Sequence, residues 1–149
     1  SKPLKCMVDL QEGKKVSVKM GSYGIGVSRL VGAIIEAKYK NNIMKWPEAI
    51  SPYQAAILPA LQKNDKTNFT RSEKIYNFLK DNNFDVLFDD TEENISSKIK
   101  KFNLIGAPYQ IILGKKSEEN IFEFKEVDGD SQNLSLEKII EIINNKKRN

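Results

Sequence analysis

Residues 85–113 read DVLFDDTEENISSKIKKFNLIGAPYQIIL, and the order of elements within them sets the class of sheet. It opens with Asp85 to Phe88, a short apolar run with the length and composition of a buried strand. Two carboxylates, Asp89 and Asp90, end the run. Ile95, Ile99 and Phe102 then recur at i, i+4 and i+7, the inner face of a helix. Gly106 and Pro108 punctuate the chain, and Tyr109 to Leu113 is a continuous apolar strand closed by Gly114. A strand, a helix and a second strand in so short a span form a crossover unit, which sets two parallel strands in one sheet.

The same alternation extends outward. Toward the C-terminus, Ile121 to Val127 alternates Ile, Phe and Phe with polar residues, as a half-exposed strand does, and ends in Asp128-Gly129. Before it, Ser117-Glu118-Glu119-Asn120 reads as a surface hairpin turn. Leu136, Ile139, Ile140 and Ile143 give a last helix its apolar stripe, and Lys146 to Arg148 favour its C-terminal dipole. Toward the N-terminus, Thr70-x-x-Glu73 is a capping box before a helix that turns Ile75, Phe78 and Leu79 inward. Gln54 to Leu58 is a further strand. Trp46-Pro47 and Ser51-Pro52 mark an extended connector, and Lys40-Asn41-Asn42 loosens the chain ahead of it. Residues 4–10 and 16–20 form a hairpin around Glu12 to Lys15. A helix from Val27 to near Tyr39 then buries Leu30, Val31, Ile34 and Ile35. The expected architecture is a three-layer α/β domain over residues 48–149, its mixed, mainly parallel sheet flanked by helices. A hairpin-plus-helix segment, residues 1–47, precedes it.

Composition narrows the chemistry. With no histidine among 149 residues, Ser-His-Asp triads, Cys-His pairs and histidine metal sites are excluded within the chain. The single cysteine, Cys6, cannot form an internal disulfide, which fits a reducing, cytoplasmic setting. No apolar stretch has the length of a membrane span, and no signal peptide opens the sequence. The net charge of +4 is uneven: residues 1–50 hold nine Lys/Arg against four Asp/Glu, the rest fifteen against sixteen. Any RNA contact made by the second segment is therefore a local patch and not a global field.

Gly21 to Leu30, GSYGIGVSRL, places Arg29 in the first turn of a helix behind a glycine-rich turn. A cation there opposes the helix dipole, an adverse interaction of about 0.3–1 kcal/mol that an anionic ligand would offset. A tight strand-to-helix turn with a solvated arginine is the plain alternative. The spacing is neither a dinucleotide fingerprint nor a P-loop. Met20 to Arg29 does resemble motif 3 of class II aminoacyl-tRNA synthetases, in the form found in bacterial-type prolyl-tRNA synthetases. The resemblance continues through Ile34 to Ala37, Trp46-Pro47-Glu48 and Ile50 to Tyr53. It resumes at Asp89-Asp90, Lys98 and Leu104 to Pro108, and so covers nearly the whole chain.

The resemblance implies that residues 1–47 are the C-terminal remnant of a class II catalytic domain and residues 48–149 an anticodon-binding domain. It assigns Gly24, Gly26 and Arg29 to ATP and Ser22 to the proline pocket. In the full-length enzyme it implies ATP with Mg2+, proline, tRNA-Pro and a homodimer. Motifs 1 and 2 do not precede Ser1, so the chain alone is expected to be unable to activate proline. For the anticodon it points to Asp89, Asp90, Glu93, Lys98 and Lys101. Proline anticodons share two guanines, which offer acceptors to lysine and donors to a carboxylate. On the residues alone, Asp89-Asp90 could equally bind a divalent cation or cap the following turn, and the two lysines could be a solvated face. The family pattern runs Asp-Asp-Arg and then Glu-Arg-Pro-Gly; Thr91 and Asn94 stand here in place of its two arginines. Trp46, Tyr53 and Tyr109 could stack on bases, with packing the plainer role for Trp46 and Tyr109. The expected function is a proline–tRNA ligase to which this chain contributes motif 3 and anticodon recognition. The rival is a free-standing RNA-binding module without ligase activity.

Overall fold

In the computed structural model, which describes residues 2–60, 67–114 and 120–147, two compact units are present, Ser1–Val31 and Gly32–Asn149. The first holds an antiparallel hairpin, β1 (Met7–Asp9) with β2 (Lys15–Ser17), paired Met7 to Ser17 and Asp9 to Lys15. Both strands are shorter than their apolar runs. The first turn of α1 (Val27–Lys38) forms as the Gly26 carbonyl accepts from the N–H groups of Arg29 and Leu30. The stripe expected to be buried along α1 is not: Val27, Leu30, Val31 and Ile35 are exposed, Val27 to 76%, and only Ile34 is half-buried. An apolar stripe identifies the face that needs cover and not what covers it.

The second unit contains a hairpin where Lys40-Asn41-Asn42 is expected to loosen the chain. β3 (Tyr39–Lys40) and β4 (Ile43–Met44) form a hairpin whose two turn residues, Asn41 and Asn42, both have positive φ, 53° and 61°. Asparagine tolerates that region, and two such residues in succession match the twist of a two-residue hairpin. The connector is extended at Pro47 and Ser51, which flank one 3-10 turn, Glu48–Ile50.

The sheet is built from β5 (Ala55–Pro59), β6 (Val86–Phe88), β7 (Tyr109–Leu113), β8 (Ile121–Glu126) and β9 (Ser131–Ser135), in the order β6-β5-β7-β8-β9. β5 is parallel to both β6 and β7, whereas β7–β8 and β8–β9 are antiparallel. The mixed α/β architecture is as expected, with one added strand: β9, Ser-Gln-Asn-Leu-Ser, carries too few apolar residues to announce itself. It is an edge strand, where polar side chains protect an open ladder.

Alternation along the strands feeds two cores. Ala55, Ile57, Ile111 and Leu113 face α2 (Thr67–Asp81) and α4 (Leu136–Lys147), packing with Ile75, Leu79, Ile139 and Ile143. Ala56, Leu58 and Ile112 face α3 (Ile95–Ile105) through Phe102, with Ile95 and Ile99 at the margin. These are the three layers. Two expectations on α2 are corrected. Thr70 lies inside the helix, which already runs from Thr67, so Thr70 and Glu73 are not its capping box. Asn68 secures the first turn, its amide donating to the carbonyls of Ala60 and Gly114. The buried face is Ser72, Ile75 and Leu79, spaced i, i+3 and i+7, which turns Phe78 outward. The turn assigned to residues 117–120 lies outside the described residues except for Asn120, as does Arg148.

α3 has a defined cap at each end. The Asn94 side chain accepts from the N–H of Ser97 at 2.8 Å. Gly106, at φ 82°, ends the helix in the left-handed region and donates to the Phe102 carbonyl. Asn94→Ala is expected to lower stability by about 0.5–2 kcal/mol and Asn94→Ser by much less, as read from urea midpoints. Equal midpoints for Asn94→Ala and the parent chain would refute the cap's contribution.

Candidate nucleic-acid interface

The parallel strands end at the edge where open α/β sheets place their ligands. β6 is short, and its ladder is prolonged by one bond, from the Asp89 N–H to the Ile57 carbonyl at 3.1 Å. Immediately beyond, the Asp89 carboxylate folds the chain back on itself. Oδ1 accepts from the Thr91 N–H at 2.9 Å and also from the Thr91 hydroxyl. This side-chain turn shapes the loop that leads to Asn94 and α3.

α3 brings two lysines to the same carboxylate. Lys98 Nζ lies 3.2 Å from the Asp89 carbonyl and 3.4 Å from Oδ1. Lys101 Nζ lies 3.3 Å from Oδ2 and 3.2 Å from Glu93 Oε1. Burial separates the two. Lys98 has no exposed surface and Asp89 almost none, while the Lys101 and Glu93 side chains are 38% and 44% exposed. Asp90 is exposed beside them. Burial of Asp89 works against its charge. The two Thr91 bonds, the Lys98 charge and the Lys101 bond outweigh that, and hold its carboxyl below the ordinary 3.8. At Lys101, partial desolvation is likewise outweighed by Glu93 and Asp89, which push its ammonium up from the ordinary 10.5.

The five residues read as one candidate site are thus brought together, but not in equivalent roles. Lys98, expected on a flank facing RNA, turns inward. Ile95, Lys98, Ile99 and Phe102 are spaced i, i+3, i+4 and i+7, so Lys98 falls inside the buried stripe. Asp90, Glu93 and Lys101 are the groups open to a ligand. Thr91 and Asn94, which stand in place of the two family arginines, each make a specific bond. An Asn directly before an apolar helical stripe and a Thr two residues after an Asp are the local signals that point to them. The aromatic candidates are mostly packed: Trp46 Nε1 donates to the Ile105 carbonyl, and Tyr109 is buried on Phe124 with ring centroids 5.2 Å apart. Tyr53 is partly exposed. Among the described residues, no group of His, Cys, Asp and Glu could hold a metal ion, and no helix is long and apolar enough to cross a membrane.

Residues 54–146, which contain this whole cluster, match the family model described as the anticodon binding domain. The chain belongs to the anticodon binding domain family. Its anticodon binding domain carries the cluster on β6, the following loop and α3, all within the matched span. Similarity also extends beyond that domain to the N-terminal residues. The chain is 56% identical to the proline–tRNA ligase of Pelagibacter ubique (strain HTCC1062) over 149 residues, which is 99% of this chain and 34% of that relative. It is 45% identical to the proline–tRNA ligase of Wolbachia sp. subsp. Brugia malayi (strain TRS), over 97% of this chain and 34% of the relative. Against the proline–tRNA ligase of Zymomonas mobilis subsp. mobilis (strain ATCC 31821 / ZM4 / CP4) the figures are 36%, 96% and 32%. The chain therefore spans about a third of the length of these relatives. Ser22, Gly24, Gly26 and Arg29 are exposed residues of the first unit. A Cβ on Gly24 would meet nothing within 4 Å, so that turn is open to close approach.

Proposed function

We propose that this chain is part of a proline–tRNA ligase, with residues 1–47 belonging to its catalytic domain and residues 48–149 binding the anticodon of tRNA-Pro. The observation that carries the reading is similarity over 99% of the chain to a protein named for that activity. Within the second segment, Asp90, Glu93 and Lys101 supply exposed acceptors and a donor in one place, as an unstacked base requires. Their acidic majority disfavours phosphate as the main contact and favours the donor groups of a guanine edge. Asp89 and Lys98 hold the loop from within.

For the first segment, the fit to a nucleotide rests on Arg29, exposed at the start of α1 beside the open turn of Gly24. A guanidinium there suits a phosphate oxygen or the face of adenine. Gly26 shapes the turn, and Ser22 stands where the proline pocket is expected. ATP, bound with Mg2+, would supply the α-phosphate to which a carboxylate is joined, with pyrophosphate leaving, so that it becomes reactive toward tRNA. The residues of this chain contribute binding to that step. Cytoplasmic location, a homodimeric full-length enzyme and the inability of this chain alone to activate proline belong to the same proposal.

The test is binding of the chain to a tRNA-Pro transcript, and to the same transcript with its two anticodon guanines replaced by adenine, at two salt concentrations. Loss of about 1–3 kcal/mol per replaced guanine is expected. Equal, salt-sensitive binding of both transcripts would leave only backbone contacts and overturn the anticodon reading.

A further inference from the structure

We infer that Lys98 is a positioning residue for base readout, acting through Asp89 and Lys101 without touching RNA. The inference rests on the anticodon reading proposed above. Lysine is almost never fully buried unless paired, and Lys98 has no exposed surface at all. Its ammonium reaches both the carbonyl and the carboxylate of one residue, Asp89, and so fixes the peptide and the side chain together. From there the contacts run outward in order: Lys98 to Asp89, Asp89 to Lys101, Lys101 to Glu93. The outer end of this chain is a donor and an acceptor 3.2 Å apart and open to solvent. Guanine displays the complementary pair, the O6 acceptor beside the N1 and N2 donors, whereas adenine offers a donor where O6 stands.

Charge balance gives Lys98 its leverage. With Lys98 in place, the buried Asp89 carboxylate has one internal cation and shares Lys101 with Glu93. Without Lys98, Asp89 has Lys101 as its sole cation among the described residues, because its other donors, the Thr91 N–H and hydroxyl, are neutral. Attraction between unlike charges strengthens as the surroundings become less polar, so Lys101 is drawn toward the buried carboxylate and away from Glu93. The donor beside Glu93 is then lost to the base.

Lys98→Met keeps an unbranched side chain and removes the ammonium, both its charge and its bond to the Asp89 carbonyl. Binding of the full chain to the guanine and adenine forms of the tRNA-Pro transcript is measured across a salt series, with urea melts alongside. The expected result is a guanine preference reduced by at least about tenfold, with the slope of affinity against salt unchanged. Undiminished preference with a shallower salt slope would show Lys98 on a phosphate and overturn the inference. Undiminished preference with only lower stability would reduce Lys98 to a structural role and also overturn it. If Lys98→Met does not fold, Lys98→Gln takes its place, because it keeps a donor toward the Asp89 carbonyl and removes the charge. It is expected to lose the preference equally, because Asp89 again draws Lys101 from Glu93; retained preference overturns the inference. A parent chain that binds both transcripts alike defeats the anticodon reading and this inference with it, whereas preference in both parent and variants defeats the inference alone.

Discussion

Asp89→Asn is expected to destabilise the α/β unit by about 3–5 kcal/mol, the range for removing one partner of a buried ion pair. Asparagine still accepts from Thr91, but Lys98 is left with a buried ammonium and no charge opposite it. The reverse change should be milder, since Lys98→Met leaves Asp89 with two Thr91 donors and Lys101. The double variant Asp89→Asn/Lys98→Met should therefore be more stable than Asp89→Asn alone, because a buried pair can be replaced by uncharged side chains at little cost. Urea midpoints of the three variants decide this. A double variant less stable than Asp89→Asn would refute the unpaired-charge explanation.

The same carboxylate sets a pH dependence. The folded Asp89 is more acidic than the ordinary 3.8, so it contributes stability that is fully present above that value. The contribution is lost as the pH falls below 3.8 and through the lower folded value. Parent chain and Asp89→Asn should converge in stability as the medium is acidified through this window. A difference that stays constant down to pH ~2 would remove Asp89 from the acid transition.

Gly106→Ala carries the second large effect, an expected loss of about 2–4 kcal/mol. Two costs coincide there. The position has φ 82°, which alanine resists, and a Cβ would lie 2.7 Å from the Met44 carbonyl oxygen and 2.8 Å from Met44 Cγ. Met44 is buried and belongs to the β3–β4 hairpin, so the backbone atom cannot simply swing aside. Gly106→Asn separates the two costs, since asparagine tolerates the left-handed region yet still brings a Cβ. It should recover only part of the loss. A midpoint for Gly106→Asn equal to that of the parent would show that the approach of Met44 has no energetic weight.

Much of this architecture was legible because its signals are local. Tyr109–Leu113 was read to the residue, and Val27–Lys38 to within one, since continuous apolar runs and 3.6-residue periods need no partner to be recognised. The family of the second segment was legible in Asp89-Asp90, Lys98 and Leu104 to Pro108. β9 was not, because an edge strand needs few apolar residues, nor was the Asn41-Asn42 turn, whose residues suit an irregular loop equally well. The inward turn of Phe78 failed for a different reason: Ile75 and Leu79 define a stripe that fits Ser72 better than Phe78, and only packing chooses between neighbouring faces.

The candidate site divides in the same way. Sequence by itself determined which groups gather after β6, because carboxylates at a strand end and lysines one turn apart on a helix are fixed by chain spacing. It also determined the break at Gly106 and the strand that follows. Which of those charges is buried depends on packing. Lys98 and Lys101 are three residues apart on one helix, yet Lys98 has no exposed surface and Lys101 is partly open, because α3 lies on the sheet along Ile95, Ile99 and Phe102. Burial depends on the rotation of a helix against its neighbour, a property of the packed layers that no residue carries alone.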